Sequence, residues 1–197
     1  MIVTNKIFYK FLFIFLIFFS YEVESKAISL GKPDAKVTIK VFSSLTCPAC
    51  ANFHSKVFYN LKEDFIDNGL VKFEHHPFPL DMAALNAEII LRCNVENDRI
   101  DFLGKIYEKQ NLWAVGSDIN KINDSLKKIG LEFNLKNEMM DNCLNNEMAQ
   151  DEILNERIDA QKKYKVESTP TIFINEKKYK GSISYKEFKK VLNKSIK

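Results

Sequence analysis

The feature that most constrains the fold is a Cys-Pro-Ala-Cys tetrapeptide, Cys47 to Cys50, that separates a strand pattern from a helix pattern. Residues 37–42 alternate apolar with polar side chains and are rich in β-branched residues, which predicts a strand. After the second cysteine, apolar residues recur at helical spacing as far as Phe65. Pro48 suits the first turn of a helix, where no intrahelical hydrogen bond is lost. The sequence therefore predicts a strand, a short loop and a helix that begins at the cysteine pair.

The position of Cys47 at the start of this helix changes the chemistry of its thiol. Unpaired backbone N–H groups and the helix dipole stabilise a thiolate there, which lowers the thiol pKa below the ordinary value of about 8.5. Cys50 lies one turn further on, within reach of a local disulfide and more buried, so we expect it to resolve mixed disulfides. A structural bridge or a metal site is the alternative. Cys47, Cys50 and His54 share a helical face, but three ligands without a fourth do not form a closed zinc site.

An N-terminal segment indicates export. Two lysines precede an apolar run at residues 11–19, which is shorter than the ~20 residues that a spanning helix needs. We predict a signal peptide over residues 1–27, with an uncleaved membrane anchor as the alternative. Compartments outside the cytoplasm allow disulfides to persist, so the four cysteines should pair. Three pairings are possible, and the natural one joins Cys47 to Cys50 and Cys93 to Cys143.

The rest of the chain predicts one α/β domain with an insertion. A second strand is predicted at residues 70–75, and residues 171–175 and 177–180 predict a hairpin before a last helix. Between them, a helical texture predicts an all-helical subdomain over about residues 81–166, with caps at Asp81, Ser117 and Asn134 and a break at Gly130.

Charge and size exclude some functions. The 197 residues, 46% of them hydrophobic, suffice for one domain with a real core. The net charge is +3, with 29 basic and 26 acidic residues and no basic block, so nothing indicates a nucleic-acid surface.

A Thr-Pro pair, Thr169 and Pro170, leads directly into the late apolar strand, where proline must sit at the start or in a special bond. Residues 42–54, 77–81 and 169–173 together resemble the DsbA-like branch of the thioredoxin superfamily, and the resemblance covers nearly the whole mature chain. It implies a thioredoxin fold whose helical insertion lies between the second strand and the cis-proline strand. It also implies that Pro170 is cis beside the redox pair and that the Thr169 backbone binds substrate.

The resemblance further implies an exported thiol-disulfide oxidoreductase. We expect a dithiol oxidase that introduces disulfides into secreted or periplasmic proteins by exchange at Cys47 and Cys50, with this redox-active disulfide and no metal or other cofactor. Its partners would be unfolded or thiol-containing exported proteins and a membrane quinone-linked reoxidant, and the protein would be a periplasmic monomer. Relatives of the alphaproteobacterial type have cysteines near Cys93 and Cys143 and can bridge them, which implies a structural disulfide, with two buried free thiols as the alternative. A reductase or isomerase, or a copper- or peptide-binding module, is the alternative.

Two departures from the family pattern affect the predicted redox properties. Many oxidases of this family have histidine where this chain has Ala49, so its oxidising power is expected to be milder. Relatives often carry a buried acid on the strand before the cysteines, whereas this strand has Lys40 and no acid, so that either Lys40 or water would handle protons. Tyr164 and Trp113 lie near the ends of the predicted insertion, and we hypothesise that they line a substrate groove.

Overall fold

A computed structural model describes residues 27–197, which are built around a central sheet. Of the predicted signal peptide, residues 1–27, only Ala27 is among the described residues. The strands are β1 Ile28–Leu30, β2 Val37–Ser43, β3 Val71–Pro77, β4 Thr171–Ile174 and β5 Lys177–Lys178. Their order is β1-β3-β2-β4-β5, with β2 and β3 parallel and the other neighbours antiparallel. The predicted strands and hairpin are present, and the three-residue β1 is an addition.

The helices follow the predicted order. The cysteine helix begins as α1 Pro48–Phe53 and continues through a π-helical segment His54–Phe58, α2 Tyr59–Leu61 and a second π-helical segment Lys62–Ile66. Between β3 and β4 lie α3 Met82–Cys93, a 3-10 helix Glu96–Asp98, α4 Arg99–Glu108, α5 Gln110–Trp113, α6 Ile119–Glu132, α7 Asn137–Leu144 and α8 Glu147–Tyr164. After β5 comes α9 Tyr185–Ile196. The predicted all-helical insertion therefore separates β3 from the strand that follows Pro170. None of the helices within residues 27–197 is long and apolar enough to cross a membrane.

Helices cover both faces of the sheet. Ile39 and Val41 of β2 belong to the large core, together with the buried side of the cysteine helix and much of the insertion. Phe42 belongs instead to a smaller cluster with Phe78 and Phe173, to which Ala160 near the end of α8 contributes. Alternate residues of a strand point to opposite faces, so β2 is buried on both sides, as its apolar composition requires.

The boundaries inside the insertion differ from the prediction. Asp81 caps α3 as expected, and its Oδ1 accepts a hydrogen bond from Ala84 N at 2.7 Å. Asp118, and not Ser117, caps α6 by accepting from the backbone N of Asn120. The predicted break at Gly130 is wrong, because Gly130 lies inside α6 and its missing Cβ leaves room for Met140. Asn134 follows α6 in the left-handed region, at φ 60°, and does not cap α7.

A disulfide joins Cys93, at the end of α3, to Cys143 in α7. It closes a loop with a sequence separation of 50 residues. The neighbouring Arg92 makes a bidentate contact with Glu156 of α8, with N···O distances of 2.6 and 2.9 Å. These two connections tie α7 and α8 to α3.

Candidate functional site

The cysteine pair lies where β2 ends and the cysteine helix begins. Cys47 is the N-cap residue of α1, in extended conformation, and its backbone N donates to Ser44 O at 3.1 Å. Pro48 occupies the first turn, as predicted, and leaves the backbone N of Cys50 to close the turn on Cys47 O at 3.1 Å. Both thiols are reduced; Cys47 has 9% of its surface exposed and Cys50 2%. One turn of helix thus takes the chain from the protein surface into the core.

Side chains from the insertion hold the loop before Cys47. Gln110 of α5 donates from Nε2 to Leu45 O at 2.8 Å and to Cys47 O at 3.1 Å. Thr46 donates from Oγ1 to Asp81 Oδ2 at 2.8 Å, which ties the same loop to the start of α3. Gln110 carries no local signal that would have predicted this role, because an amide about sixty residues from the cysteines belongs to no sequence motif around them. The insertion therefore fixes the backbone that presents the Cys47 thiol.

The Thr169–Pro170 peptide bond is cis and lies beside Cys47. Cys47 Sγ lies 3.5 Å from Thr169 O, to which the thiol donates a hydrogen bond when it is protonated. The hydroxyl of Thr169 is buried and has no hydrogen-bond partner among the described residues. The fold thus brings together the two segments that the sequence singled out.

The surroundings move the pKa values of the two thiols in opposite directions. The hydrogen bond with the Cys50 thiol is the main influence that lowers the pKa of Cys47 from 9.0 to about 5, against the effect of burial; the nearby Thr169 side chain and the backbone N–H groups of Cys50 and Ala49 act in the same direction. Burial, followed by the hydrogen bond and the charge of Cys47, raises the pKa of Cys50 far above its ordinary value. At neutral pH the outer sulfur is therefore a thiolate and the inner one a thiol, which is the arrangement of a nucleophile and a resolving group.

A buried polar cluster lies behind the pair, on the core side of the sheet. Ser43 Oγ is 3.0 Å from His75 Nδ1, and His75 Nε2 is 3.0 and 3.2 Å from the two carboxylate oxygens of Glu88. His75 and Glu88 are each 1% exposed. From the sequence, His75 is expected to be an ordinary core or surface residue, and nothing indicates a role for Glu88. Their meeting depends on how α3 packs against β3.

His54 does not join the cysteines in a metal site. Its ring stacks on Phe58 at a centroid distance of 4.3 Å and lies 5.2 Å from that of Tyr107. Burial and, secondarily, the charge of His75 lower the pKa of His54 to about 3, so its ring is neutral. No group of three or more His, Cys, Asp or Glu side chains within residues 27–197 is arranged to hold a metal ion.

Trp113, Tyr164 and Lys40, for which the sequence suggested roles, all pack against neighbouring residues. Trp113 does not line a groove, because it is 1% exposed and donates from Nε1 to Ile106 O at 2.8 Å. Tyr164 packs on Phe42, with ring centroids 4.9 Å apart. Lys40 pairs with Glu176 at 3.0 Å and lies over the Tyr164 ring, in the smaller cluster, so it is not a substitute for the missing acid beside Cys50.

Comparisons with known proteins point to one family. The family model described as Thioredoxin matches residues 24–194. Disulfide bond formation protein D of Bacillus subtilis is 32% identical over 177 residues, which is 85% of this chain and 76% of that protein. A relative from Rickettsia bellii is 27% identical over 157 residues, and this chain spans 60% of its length.

Two solved structures are similar over nearly the same region. Alpha-DsbA1 of Wolbachia pipientis aligns with a TM-score of 0.79 at 28% identity, over 87% of this chain and 91% of that one. BdbD of Bacillus subtilis aligns with a TM-score of 0.71 at 27% identity, over 86% and 92%.

Proposed function

The chain belongs to the DsbA-like branch of the thioredoxin family and is a thiol-disulfide oxidoreductase, and we propose that it introduces disulfides into exported proteins through Cys47 and Cys50. The proposed direction of electron transfer, from substrate thiols to the enzyme, is based on one observation: the pKa of Cys47 is lowered and that of Cys50 is raised. A stabilised thiolate favours the reduced enzyme, and an enzyme that is stable when reduced is a strong oxidant of other thiols.

The size of this preference follows from the pKa of Cys47. A pKa of about 5 in place of 9.0 stabilises the reduced enzyme at pH 7 by at most about two pKa units. That is about 2.7 kcal/mol, or roughly 60 mV for a two-electron couple. Because this chain has Ala49 and no histidine at that position, the lowered pKa of Cys47 depends mainly on its hydrogen bond with Cys50, aided by the nearby Thr169 side chain and the backbone N–H groups.

The proposed half-reaction begins with the oxidised enzyme. A substrate thiolate attacks Cys47 Sγ, the bond between Cys47 and Cys50 breaks, and Cys50 leaves as a thiolate that takes up one proton. A second substrate thiolate then attacks the substrate sulfur of the mixed disulfide and releases Cys47 as a stabilised thiolate. The substrate is oxidised by two electrons and the enzyme is reduced by two.

The surface around Cys47 suits an unfolded protein substrate. Four exposed apolar residues are close in sequence to Asp81 and Gln110, which hold the active-site loop: Leu80 and Met82 flank Asp81, and Leu112 and Val115 follow Gln110, with exposures from 48% to 69%. We propose that an extended substrate segment pairs with the Thr169 backbone beside Pro170, and that these side chains contact its apolar residues. Sequence specificity is not required for such contacts.

The remaining assignments extend the same proposal. Residues 1–27 act as a signal peptide, and residues 28–197 form the mature periplasmic domain, with the helical insertion at about 81–166. Cys93 and Cys143 have a structural role, because their disulfide links two helices of the insertion, α3 and α7. The protein acts as a monomer, needs no metal or organic cofactor, and is reoxidised by a membrane quinone-linked protein.

The test is the redox equilibrium of the mature protein with glutathione, followed by alkylation of Cys47 and Cys50. We expect a potential well above the glutathione pool and turnover on a reduced, unfolded protein that Cys47→Ser abolishes. The Cys93→Ser/Cys143→Ser variant serves as the control and should keep both. A potential well below that of glutathione would make the enzyme a reductase, and copper bound to the purified wild type without dithiol turnover would make it a binding protein.

A further inference from the structure

The charge of the mature protein is unevenly distributed along the chain. Residues 176–197 contain eight lysines and two glutamates, a net charge of +6, whereas residues 28–175 contain 18 basic and 22 acidic residues, a net charge of −4. No more than two of the eight lysines are consecutive, so the sequence has no basic block. They lie on β5, in the loop after it, on α9 and directly after α9. The fold therefore gathers a positive charge that the sequence disperses.

The α9 helix separates this charge from the core. Its inner side packs through Phe188 and Leu192, which are both fully buried. Its outer side exposes four lysines, which we call the lysine face of α9: Lys186, Lys189, Lys190 and Lys194. The spacing of 186, 190 and 194 is four residues, so these three side chains are neighbours on the helix surface.

The stability of α9 does not explain its lysine face. Like charges four residues apart destabilise a helix, and Lys186, in the first turn, meets the positive end of the helix dipole. In α8, by contrast, Lys163 pairs with Asp159 one turn earlier. On the lysine face only Lys189 has an ion-pair partner among residues 27–197, which is Asp64 at 2.7 Å. An external anion would offset the remaining repulsion.

The two lysines of β5 have a simpler explanation. This strand lies at the edge of the sheet, where lysine opposes pairing with another chain. The inference therefore rests on α9, which is not part of that edge.

The lysine face points away from the reacting sulfur. The Phe188 ring lies 5.8 Å from the Phe53 ring, so the inner side of α9 faces the cysteine helix. Lys36 Nζ donates to Ile196 O at 3.2 Å, which places the end of α9 beside the start of β2. Cys47 follows the end of that strand, and seven residues of strand span about 20 Å. A surface that contacts the lysine face thus leaves Cys47 open to substrates.

We propose that the lysine face of α9 binds an anionic membrane surface, with the helix lying parallel to the lipid headgroups. Lysine is a flexible, strongly hydrated point charge, which suits headgroup phosphates that have no fixed positions. The other exposed residues of α9 are Asn193 and Ser195. Aromatic residues and arginine, which dominate the binding energy of protein–protein interfaces, are absent from this exposed side. A lipid surface therefore fits it better than a protein partner.

This inference goes beyond the proposed dithiol chemistry and rests only on the proposed export, which brings the mature chain to a membrane. Its test is co-sedimentation of residues 28–197 with lipid vesicles. One set contains about 30% phosphatidylglycerol in phosphatidylcholine, and the uncharged set contains phosphatidylcholine alone. We expect binding to the anionic set alone at about 0.05 M NaCl, and its loss at about 0.5 M, where salt screens the charges.

The variant Lys186→Gln/Lys190→Gln/Lys194→Gln removes three charges from the lysine face and keeps residues that favour a helix. Binding to the anionic vesicles should weaken by about 100-fold, because each lysine near an anionic surface contributes about a factor of five. Dithiol turnover in solution should equal that of the wild type, which also shows that the variant is folded. Loss of turnover in the wild type would concern the proposed function alone, so the two failures are distinguishable.

The matched control removes three exposed lysines from the insertion, in Lys121→Gln/Lys128→Gln/Lys136→Gln. It lowers the net charge by the same amount and should keep the binding of the wild type within about twofold. Equal weakening in both triple variants overturns the inference, because net charge and not the lysine face would then be responsible.

Three other results overturn the inference as well. The first is a wild type that does not bind the anionic vesicles, or binds both sets equally. The second is binding to soluble poly-L-glutamate without binding to vesicles, which would assign the lysine face to an acidic protein. The third is self-association of the wild type that the lysine-face variant abolishes, which would assign it to a second copy of the chain.

Discussion

The pKa of Cys47 predicts how the stability of the reduced protein depends on pH. The folded-state pKa is about 5 and the ordinary value is 9.0. Because the folded value is the lower one, the thiolate stabilises the fold in full above pH 9, and this contribution is lost as the pH falls through 5. At pH 7 two of the four pKa units remain, which corresponds to about 2.7 kcal/mol. Water at the edge of the site screens part of this, so we expect about 2 kcal/mol.

The assay is urea unfolding of the reduced and oxidised forms at pH 7.0, 5.5 and 4.0. The oxidised form is the matched control, because it has the same core and no titrating thiol at Cys47. The free energy of unfolding of the reduced form, minus that of the oxidised form, should fall by about 2 kcal/mol between pH 7 and pH 4. Cys50 contributes nothing to this change, since its raised pKa keeps it protonated throughout the range.

A difference that stays constant over this range, or rises as the pH falls, would refute the reasoning. It would mean that the Cys50 hydrogen bond, the nearby Thr169 side chain and the backbone N–H groups do not stabilise a thiolate at Cys47. The proposed direction of electron flow would then lose its main support.

Three further outcomes follow from the site and the insertion. Thr169→Val removes the polar hydroxyl near Cys47, so the pKa of Cys47, measured by thiolate absorbance against pH, should rise by about one unit; an unchanged value would show that this hydroxyl does not stabilise the thiolate. Ala49→His places an imidazolium near the thiolate and should raise the potential against glutathione by about 30 mV, with Ala49→Gln as the uncharged control. Cys93→Ser/Cys143→Ser opens a loop of 50 residues and should lower the unfolding free energy by about 4 kcal/mol, while the alkylation pKa of Cys47 stays the same. A large change in that pKa would show that the second disulfide acts on the first.

Local patterns in the sequence predicted the fold and the two segments that meet at Cys47. The strand before Cys47, the helix after it and the proline before β4 each carry a signal within a few residues, from side-chain alternation, helical spacing or backbone restriction. The same reasoning failed at Gly130, which punctuates a sequence but here serves close packing against Met140. It also missed β1, because three residues are too few to show alternation.

The residues that support the site could not be predicted in this way. Every residue of α3 from Ala84 to Leu91 is buried. This part of the helix has no exposed polar face, so its sequence pattern did not show that Glu88 is a charged residue inside the core. His75 faces the core because β3 pairs with β2 in a register that places it opposite Val41. Gln110 reaches the Cys47 carbonyl only through the packing of α5. These positions are products of tertiary contacts, which local periodicity does not encode.

The depth of the two sulfurs explains why one helix turn can separate their chemistry. At the N-cap position, Cys47 meets unpaired backbone N–H groups and the Thr169 loop, which favour a negative charge. At Cys50 the same helix has entered the apolar core, where a charge is disfavoured. A shorter spacing would leave both sulfurs at the helix end, with similar pKa values. The turn between Cys47 and Cys50 thus gives the pair one sulfur that reacts with substrates and one that reacts only with its partner.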